Sequence, residues 1–102
     1  ARRHAERTCA SGRVSHLDEE GDPEARLARE GIRARHVGET IARAETPSRG
    51  WAGMIQSPSH RAALSDRRFT DVGIAEVDDD AGHTCQVVLL AAWPRAVPYG
   101  AP

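Results

Sequence analysis

The segment Cys85-Gln86-Val87-Val88-Leu89-Leu90-Ala91-Ala92-Trp93 is apolar at nearly every position. A strand that reads as a continuous hydrophobic run is usually buried on both faces, so this segment predicts a central β-strand. Just upstream, Phe69 to Val77 reads as a second strand. Asp78-Asp79-Asp80-Ala81-Gly82 between them is rich in the residues that hairpin turns use. The chain therefore predicts an antiparallel hairpin over its last third.

Helix signals dominate the rest of the chain. Residues 1–12 are rich in helix-favouring Ala, Arg and Glu, and Gly12 is well placed to end a first helix. A polar N-cap followed by proline marks the start of a helix. That signature occurs at Asp22-Pro23, Thr46-Pro47 and Ser57-Pro58.

Between these helices, residues 32–38 are expected to be irregular and residues 39–42 to form a short helical turn. Helices first and a hairpin last predict an α+β fold. With 102 residues the chain has room for one domain, which we place at residues 1–94. Residues 95–102 are expected to be a tail or linker. The chain opens within a helical segment and reads as a piece of a longer product.

Composition excludes several function classes. Acidic and basic residues nearly balance, 15 against 14, and they are spread without blocks. This argues against a nucleic-acid binder or a polybasic membrane surface. No apolar run approaches the ~20 residues that span a bilayer. Cys9 and Cys85 fit no zinc-ribbon or thioredoxin spacing, which leaves one long-range disulfide or two buried thiols open.

Four short blocks, in a fixed order, resemble bacterial CAP domains, the SCP-like family of cysteine-rich secretory proteins, antigen 5 and pathogenesis-related proteins. Each block alone is weak, but four in the family's order and spacing make a strong signal. The blocks are Ser15-His16, Gly38-Glu39-Thr40, Ser57-Pro58-Ser59-His60-Arg61-Ala62-Ala63-Leu64 and Phe69-Thr70-Asp71-Val72-Gly73-Ile74-Ala75.

The chain also departs from the family pattern. The family usually has Asn, Gly and Trp at the positions of Thr40, Ser59 and Met54. A second glutamate of animal and plant relatives is replaced by Ser57 or a neighbour. The family's opening helix has no counterpart, so the resemblance implies an α-β-α sandwich that lacks its first helix.

The resemblance implies a cleft that gathers His16, Glu39 and His60, with Ser57 able to orient one of them. Two imidazoles and a carboxylate are a ligand set for Zn²⁺, which we expect to be bound weakly. The alternative is a purely structural role, in which His16 and Glu39 hydrogen-bond each other and hold loops together. The segment around His83 resembles the family's signature around a histidine, but His83 is expected at the hairpin turn, and His60 takes the signature position. His4 and His36 are expected at the surface.

The resemblance also implies export, and with it a Cys9–Cys85 disulfide, because the first helix packs on the last strand in the family. The leading hypothesis is a secreted or periplasmic, non-enzymatic binding or interaction module. The alternatives are a metal-dependent, peptidase-like hydrolase that uses the same cleft, and a lipid-binding module, which needs an apolar groove. Without the opening helix, the hairpin is expected to expose Val, Leu and Ala to a protein partner or parent chain.

Overall fold

A computed structural model describes residues 1–92. The elements, in chain order, are α1 (Arg2–Ser11), α2 (Pro23–Arg29), β1 (His36–Ala44), α3 (Pro47–Gln56), α4 (Pro58–Leu64), β2 (Asp71–Asp78) and β3 (Thr84–Ala92). The three strands form one antiparallel sheet in the order β1-β3-β2. The predicted α+β class is confirmed. The expected end of the last strand at Trp93 and the expected tail lie outside the described residues.

Capping residues predicted from the sequence begin and end the helices, as their hydrogen bonds and backbone angles show. The Asp22 side chain accepts a hydrogen bond from the Ala25 amide at the start of α2, and Thr46 accepts one from the Arg49 amide at the start of α3. Gly12 ends α1 with a φ of 70°, the left-handed region that favours glycine. These caps satisfy backbone groups that the helix itself leaves unpaired.

Strand β1 corrects the prediction for residues 32–42. Instead of an irregular stretch and a helical turn, residues 36–44 form an edge strand that pairs with β3 along its whole length. Glu39 lies opposite Leu89, and Ile41 lies opposite Val87. The strand was missed because a glutamate and an arginine, Glu39 and Arg43, interrupt its apolar residues.

The sheet has a hydrophobic cluster on each face. On one face, Ala5 of α1 packs with Ile41, Ala75 and Val87. On the other, Met54 of α3 packs with Val88 and Leu90, supported by Ala42, Trp51, Ala63 and Phe69. Strand β3 contributes to both clusters, as expected of a central strand. The result is a three-layer arrangement of α1, the sheet, and α3 with α4.

Helix α3 approaches the sheet at a glycine. A Cβ at Gly50 would lie 2.8 Å from Cδ of Gln86, which is completely buried. The Gln86 amide cannot move aside cheaply, because its Nε2 donates to the Pro47 carbonyl at 3.0 Å and to Glu76 Oε1 at 2.8 Å. Glycine is therefore required at this contact.

The exposed apolar surface is narrower than expected. Val72 and Ile74 of edge strand β2 are 57% and 60% exposed. Leu89, Leu90 and Ala92 of β3 are buried, so the expectation of exposed Leu and Ala is wrong. Helices cover the central strand on both faces, whereas Val72 and Ile74 of β2 are left exposed. Within residues 1–92, no helix is long and apolar enough to cross a membrane.

The predicted disulfide between Cys9 and Cys85 is confirmed. The two Cα atoms are 5.7 Å apart and the sulfurs are bonded. Cys9 lies in the last turns of α1, and Cys85 is the second residue of β3. The bond joins the first helix to the central strand, across a sequence separation of 76 residues.

Candidate functional site

The site is built around Glu39, whose side chain is completely buried. Its carboxylate accepts a bidentate pair of hydrogen bonds from the Arg26 guanidinium, one of 2.7 Å to Oε2 and one of 2.9 Å to Oε1. His16 Nδ1 lies 2.9 Å from Oε1. A buried carboxylate needs a charged partner and hydrogen bonds to offset the loss of water, and Arg26 provides both.

Arg26 was not anticipated from the sequence. It lies on α2 beside Leu27, and both side chains are buried. Besides Glu39, its Nη2 donates to the backbone carbonyl of His16 at 2.9 Å. Arg26 therefore fixes the carboxylate and the loop that carries His16 at the same time. The only available signal was a strand glutamate that needed a buried cation, and that signal depends on knowing that residue 39 is in a strand.

His16 is the accessible member of the site. Its side chain is 60% exposed, and Nδ1 is the nitrogen that faces Glu39. When a neutral imidazole donates Nδ1–H to a carboxylate, the lone pair remains on Nε2. That arrangement, carboxylate behind and free nitrogen in front, is how proteins orient histidines that bind metal.

A second buried network holds the same loop to α1. His4 Nδ1 lies 2.7 Å from Asp18 Oδ2, and His4 Nε2 lies 2.7 Å from the Ser15 carbonyl. Both ring nitrogens are thus held by oxygen atoms, one of a carboxylate and one of a backbone carbonyl. Arg7 also donates to Asp18 Oδ2, at 3.1 Å. The expectation that His4 lies at the surface is wrong: His4 is 3% exposed, because it faces inward with Ala5 and Thr8.

The surroundings of Asp18 shift the pKa of its carboxyl group strongly. Burial alone would raise its pKa, but hydrogen bonds from His4, the Glu20 amide and Arg7 outweigh burial and lower the pKa to about 2. Asp18 is therefore ionised at neutral pH. The negative charge of Asp18 is paired with the Arg7 guanidinium of α1. This ion pair stabilises the loop between α1 and α2, which carries His16.

His60 and Ser57 lie at the start of α4. His60 Nδ1 is buried and has no hydrogen-bond partner among the described residues. The Ser57 hydroxyl is 3.2 Å from the Ser59 hydroxyl, not next to a histidine. Within residues 1–92, the structure joins His16 to Glu39 directly and makes no hydrogen bond from His60 to either. The full three-residue cleft stays a prediction.

The remaining histidines, His36 and His83, are both half-buried. His36 stacks on Phe69 with ring centroids 5.2 Å apart and is half-buried. His83 lies in the β2–β3 turn, where its Nδ1 is 3.8 Å from Asp79 Oδ1. Arg61 is exposed on α4.

Comparison with known proteins identifies the fold. No family model matches the chain, and no curated protein matches it. Among solved structures, it is similar to an outer surface protein from Borrelia burgdorferi, with a TM-score of 0.79 and 18% identity over 90% of this chain and 69% of that one. It is also similar to an extracellular SCP-domain protein from Bacillus anthracis, with a TM-score of 0.74 and 22% identity over 87% of this chain and 29% of that one. The predicted SCP-like fold is confirmed.

Proposed function

We propose that this SCP-like domain is a non-enzymatic binding module that works outside the cytoplasm. The proposal rests on the environment of the Glu39 carboxylate. Its side chain is completely buried, and both of its oxygens accept hydrogen bonds from Arg26. The disulfide and the two extracellular or surface-located structural neighbours support the location.

A hydrolase would need a carboxylate that is free to take a proton from water. A general base must lie within hydrogen-bond reach of the proton it removes. Glu39 meets neither condition well, since Arg26 neutralises it and burial separates it from solvent. The absence of a second family glutamate removes the other candidate base. These points favour binding over catalysis.

The catalytic alternative is tested with zinc-loaded protein and unstructured protein or peptide substrates. We expect no turnover above that of His16→Ala. Zinc-dependent turnover that disappears in His16→Ala and Glu39→Gln would overturn the proposal and favour the hydrolase.

We further propose that the cleft binds Zn²⁺ weakly through His16 and His60. Glu39 then acts behind His16, holding the ring so that Nε2 faces outward. His60 Nδ1 is buried and has no hydrogen-bond partner among residues 1–92, so this imidazole has a ring nitrogen that a metal could use. Two side-chain ligands without a free carboxylate give a weak, open site, in contrast to the four-ligand sites of structural zinc.

The zinc proposal is tested by calorimetry on the disulfide-bonded protein at about pH 7.5 and about pH 5. Imidazoles must be neutral to bind metal, so affinity falls on acidification. His16→Ala and His60→Ala should each abolish the heat, whereas His36→Ala, a histidine stacked on Phe69, should leave it unchanged. No heat at pH 7.5, or unchanged affinity in His60→Ala, would rule the site out.

For the partner, we propose that a protein surface or another part of a longer parent chain covers Val72 and Ile74. Adjacent apolar side chains exposed on an edge strand are typical of contact sites. A dye that fluoresces on apolar surfaces should bind the domain, and the double variant Val72→Thr/Ile74→Thr should bind much less. Val14→Thr, at an equally exposed loop valine, is the matched control. Equal dye binding by wild type and the double variant would contradict the proposal.

A second candidate function, lipid binding, draws on one cavity. A space of about 440 Å³ between α1, α2 and the sheet is lined mainly by apolar atoms, including Leu27, Ile32, Leu89 and Ala91. Its size is within the range of small-ligand sites. Binding of a fluorescent fatty acid that is lost in Ala91→Trp, which fills the cavity, would favour this candidate. No binding by the wild type would remove it.

A further inference from the structure

Three metal-binding groups meet where α1 ends against the β2–β3 turn. The Sγ atoms of Cys9 and Cys85 and a carboxylate oxygen of Asp79 all lie within 4.8 Å of one another. The two sulfurs are close because they are bonded, but the disulfide does not explain the carboxylate. The turn itself positions Asp79, whose Oδ1 accepts hydrogen bonds from the amides of Ala81 at 2.9 Å and His83 at 2.8 Å.

A fourth potential donor, His83, lies next to the same carboxylate but outside the group of three. His83 Nδ1 is buried, makes no hydrogen bond among the described residues, and is 3.8 Å from Asp79 Oδ1. Two thiolates, a carboxylate and an imidazole are the ligand types that tetrahedral Zn²⁺ takes in proteins. A buried imidazole nitrogen without a partner is costly unless something binds it.

The cluster is reachable from solvent. A cavity of about 530 Å³ opens beside Cys9 and Asp79 and is lined by three further carboxylates, those of Glu6, Asp78 and Asp80. Arg43, whose Nη2 lies 3.2 Å from Asp79 Oδ2, also lines it. The excess of carboxylates favours the entry of a cation, and the opening admits a small reductant.

We propose that the Cys9–Cys85 pair is a redox-controlled metal site. When the disulfide is reduced, Cys9, Cys85 and Asp79 bind Zn²⁺, and His83 completes the set. A dithiol supplies two electrons and two protons, so the S–S bond breaks into two thiols while the dithiol becomes a disulfide. The cation then displaces the two thiol protons to solvent as the thiolates coordinate it. In the reverse step a small disulfide accepts the two electrons and, with two protons from solvent, becomes two thiols, while the Cys9–Cys85 S–S bond re-forms and the metal is released.

This site is separate from the His16 cleft and does not depend on it. The cleft is tested in the oxidised protein, in which the sulfurs cannot coordinate, and the present site is tested in the reduced protein. His16→Ala should leave the present site unchanged. Failure of one proposal therefore leaves the other standing.

The test uses Co²⁺ as a spectroscopic substitute for Zn²⁺, with a thiol-free phosphine as reductant and circular dichroism to monitor folding. Reduced wild type should bind one equivalent of Co²⁺, show a thiolate-to-cobalt charge-transfer band, and lose that band on addition of Zn²⁺ or on reoxidation. The oxidised protein should show no such band. Asp79→Asn keeps an acceptor for the turn amides, and it should weaken Co²⁺ binding by more than the roughly 10- to 100-fold lost with an indirect partner.

The matched control is Asp80→Asn, which removes the same charge from the next residue of the turn. It should change the affinity by less than about threefold, since charge near a site acts more weakly than a ligand. If reduction unfolds the chain and Co²⁺ refolds it with the band, the proposal is supported. Absence of the band in reduced wild type, folded or not, would overturn it. Equal Co²⁺ affinity in Asp79→Asn and wild type would do the same.

Discussion

The buried ion pair between Arg26 and Glu39 is the strongest test of how this fold is held together. Arg26→Met keeps an unbranched side chain and removes the guanidinium with its charge. Glu39 would then stay in a fully buried position without the two guanidinium bonds of 2.7 and 2.9 Å. Removing one partner of a buried pair costs about 3–5 kcal/mol, because the other charge is left uncompensated. That is a large share of the roughly 5–15 kcal/mol that stabilises a domain.

Urea unfolding followed by circular dichroism measures this loss. Glu39→Leu should also destabilise the protein, whereas the double variant Arg26→Met/Glu39→Leu should recover much of the loss because neither charge is left alone. Arg29→Met, on the exposed side of the same helix, is the control and should lie within about 0.5 kcal/mol of wild type. The double-mutant cycle isolates the coupling between the two side chains.

A coupling energy below about 1 kcal/mol would refute the reasoning, since that is the range of exposed pairs. It would mean that water or another cation reaches Glu39 when Arg26 is gone. The His16 loop would then be held by the His4–Asp18 network alone. Amide exchange of residues 15–18 would distinguish the two cases, because the loop should lose protection in Arg26→Met only if Arg26 anchors it.

Three further predictions concern acid, helix packing and the crosslink. The pKa of Asp18 is about 2 in the fold, against about 3.9 in an unfolded chain. Its contribution of about 2–3 kcal/mol is therefore present above pH 4 and lost as the pH falls towards 2, a loss that acid titration of Asp18→Asn should lack. Gly50→Ala should destabilise by about 1–3 kcal/mol through overlap with Gln86, whereas Gly53→Ala, with open space around it, should stabilise by up to about 1 kcal/mol in urea unfolding. Cys9→Ser should lower the free energy of unfolding by about 4 kcal/mol, because the disulfide closes a loop of 76 residues.

Each of these has an outcome that would contradict it. Parallel acid profiles for wild type and Asp18→Asn would show that the carboxylate is not stabilised by folding. Equal effects of the two alanine substitutions would mean that helix α3 shifts to relieve the overlap. Two alkylatable thiols in denatured, unreduced protein would show that the disulfide does not form in solution.

Elements with strong local signals were predictable from the sequence. Helices α2, α3 and α4 each begin with a polar residue and a proline, and those signals depend only on neighbouring residues. The central strand was predictable because burial on both faces leaves a continuous apolar run. The same logic predicted a turn at residues 78–82, where polar and small residues accumulate.

Strand β1 and the ion-pair network were not predictable for a shared reason. Alternation in a strand is recognised by apolar residues at every second position, but one of the inward positions of β1 is Glu39, whose partner Arg26 lies 13 residues upstream. A buried charged residue can be predicted from the sequence only when its ion-pair partner is known. That partner lies elsewhere in the fold, so neighbouring residues do not reveal it. His4 was misplaced for the same reason, since its burial depends on Asp18 in a loop.

The order of the strands has a consequence for how the chain folds as it is synthesised. The central strand, β3, is the last in sequence, and β1 and β2 pair only with it. No strand pair of the described sheet can form until residues 84–92 have emerged; β1 then pairs with β3 over a long sequence separation, and β2 pairs with it as a hairpin. Cys9 likewise waits as a free thiol until Cys85 arrives. Until then, the residues before 84 form short helices and two strand segments without their pairing partner, the state in which binding by a chaperone would matter most.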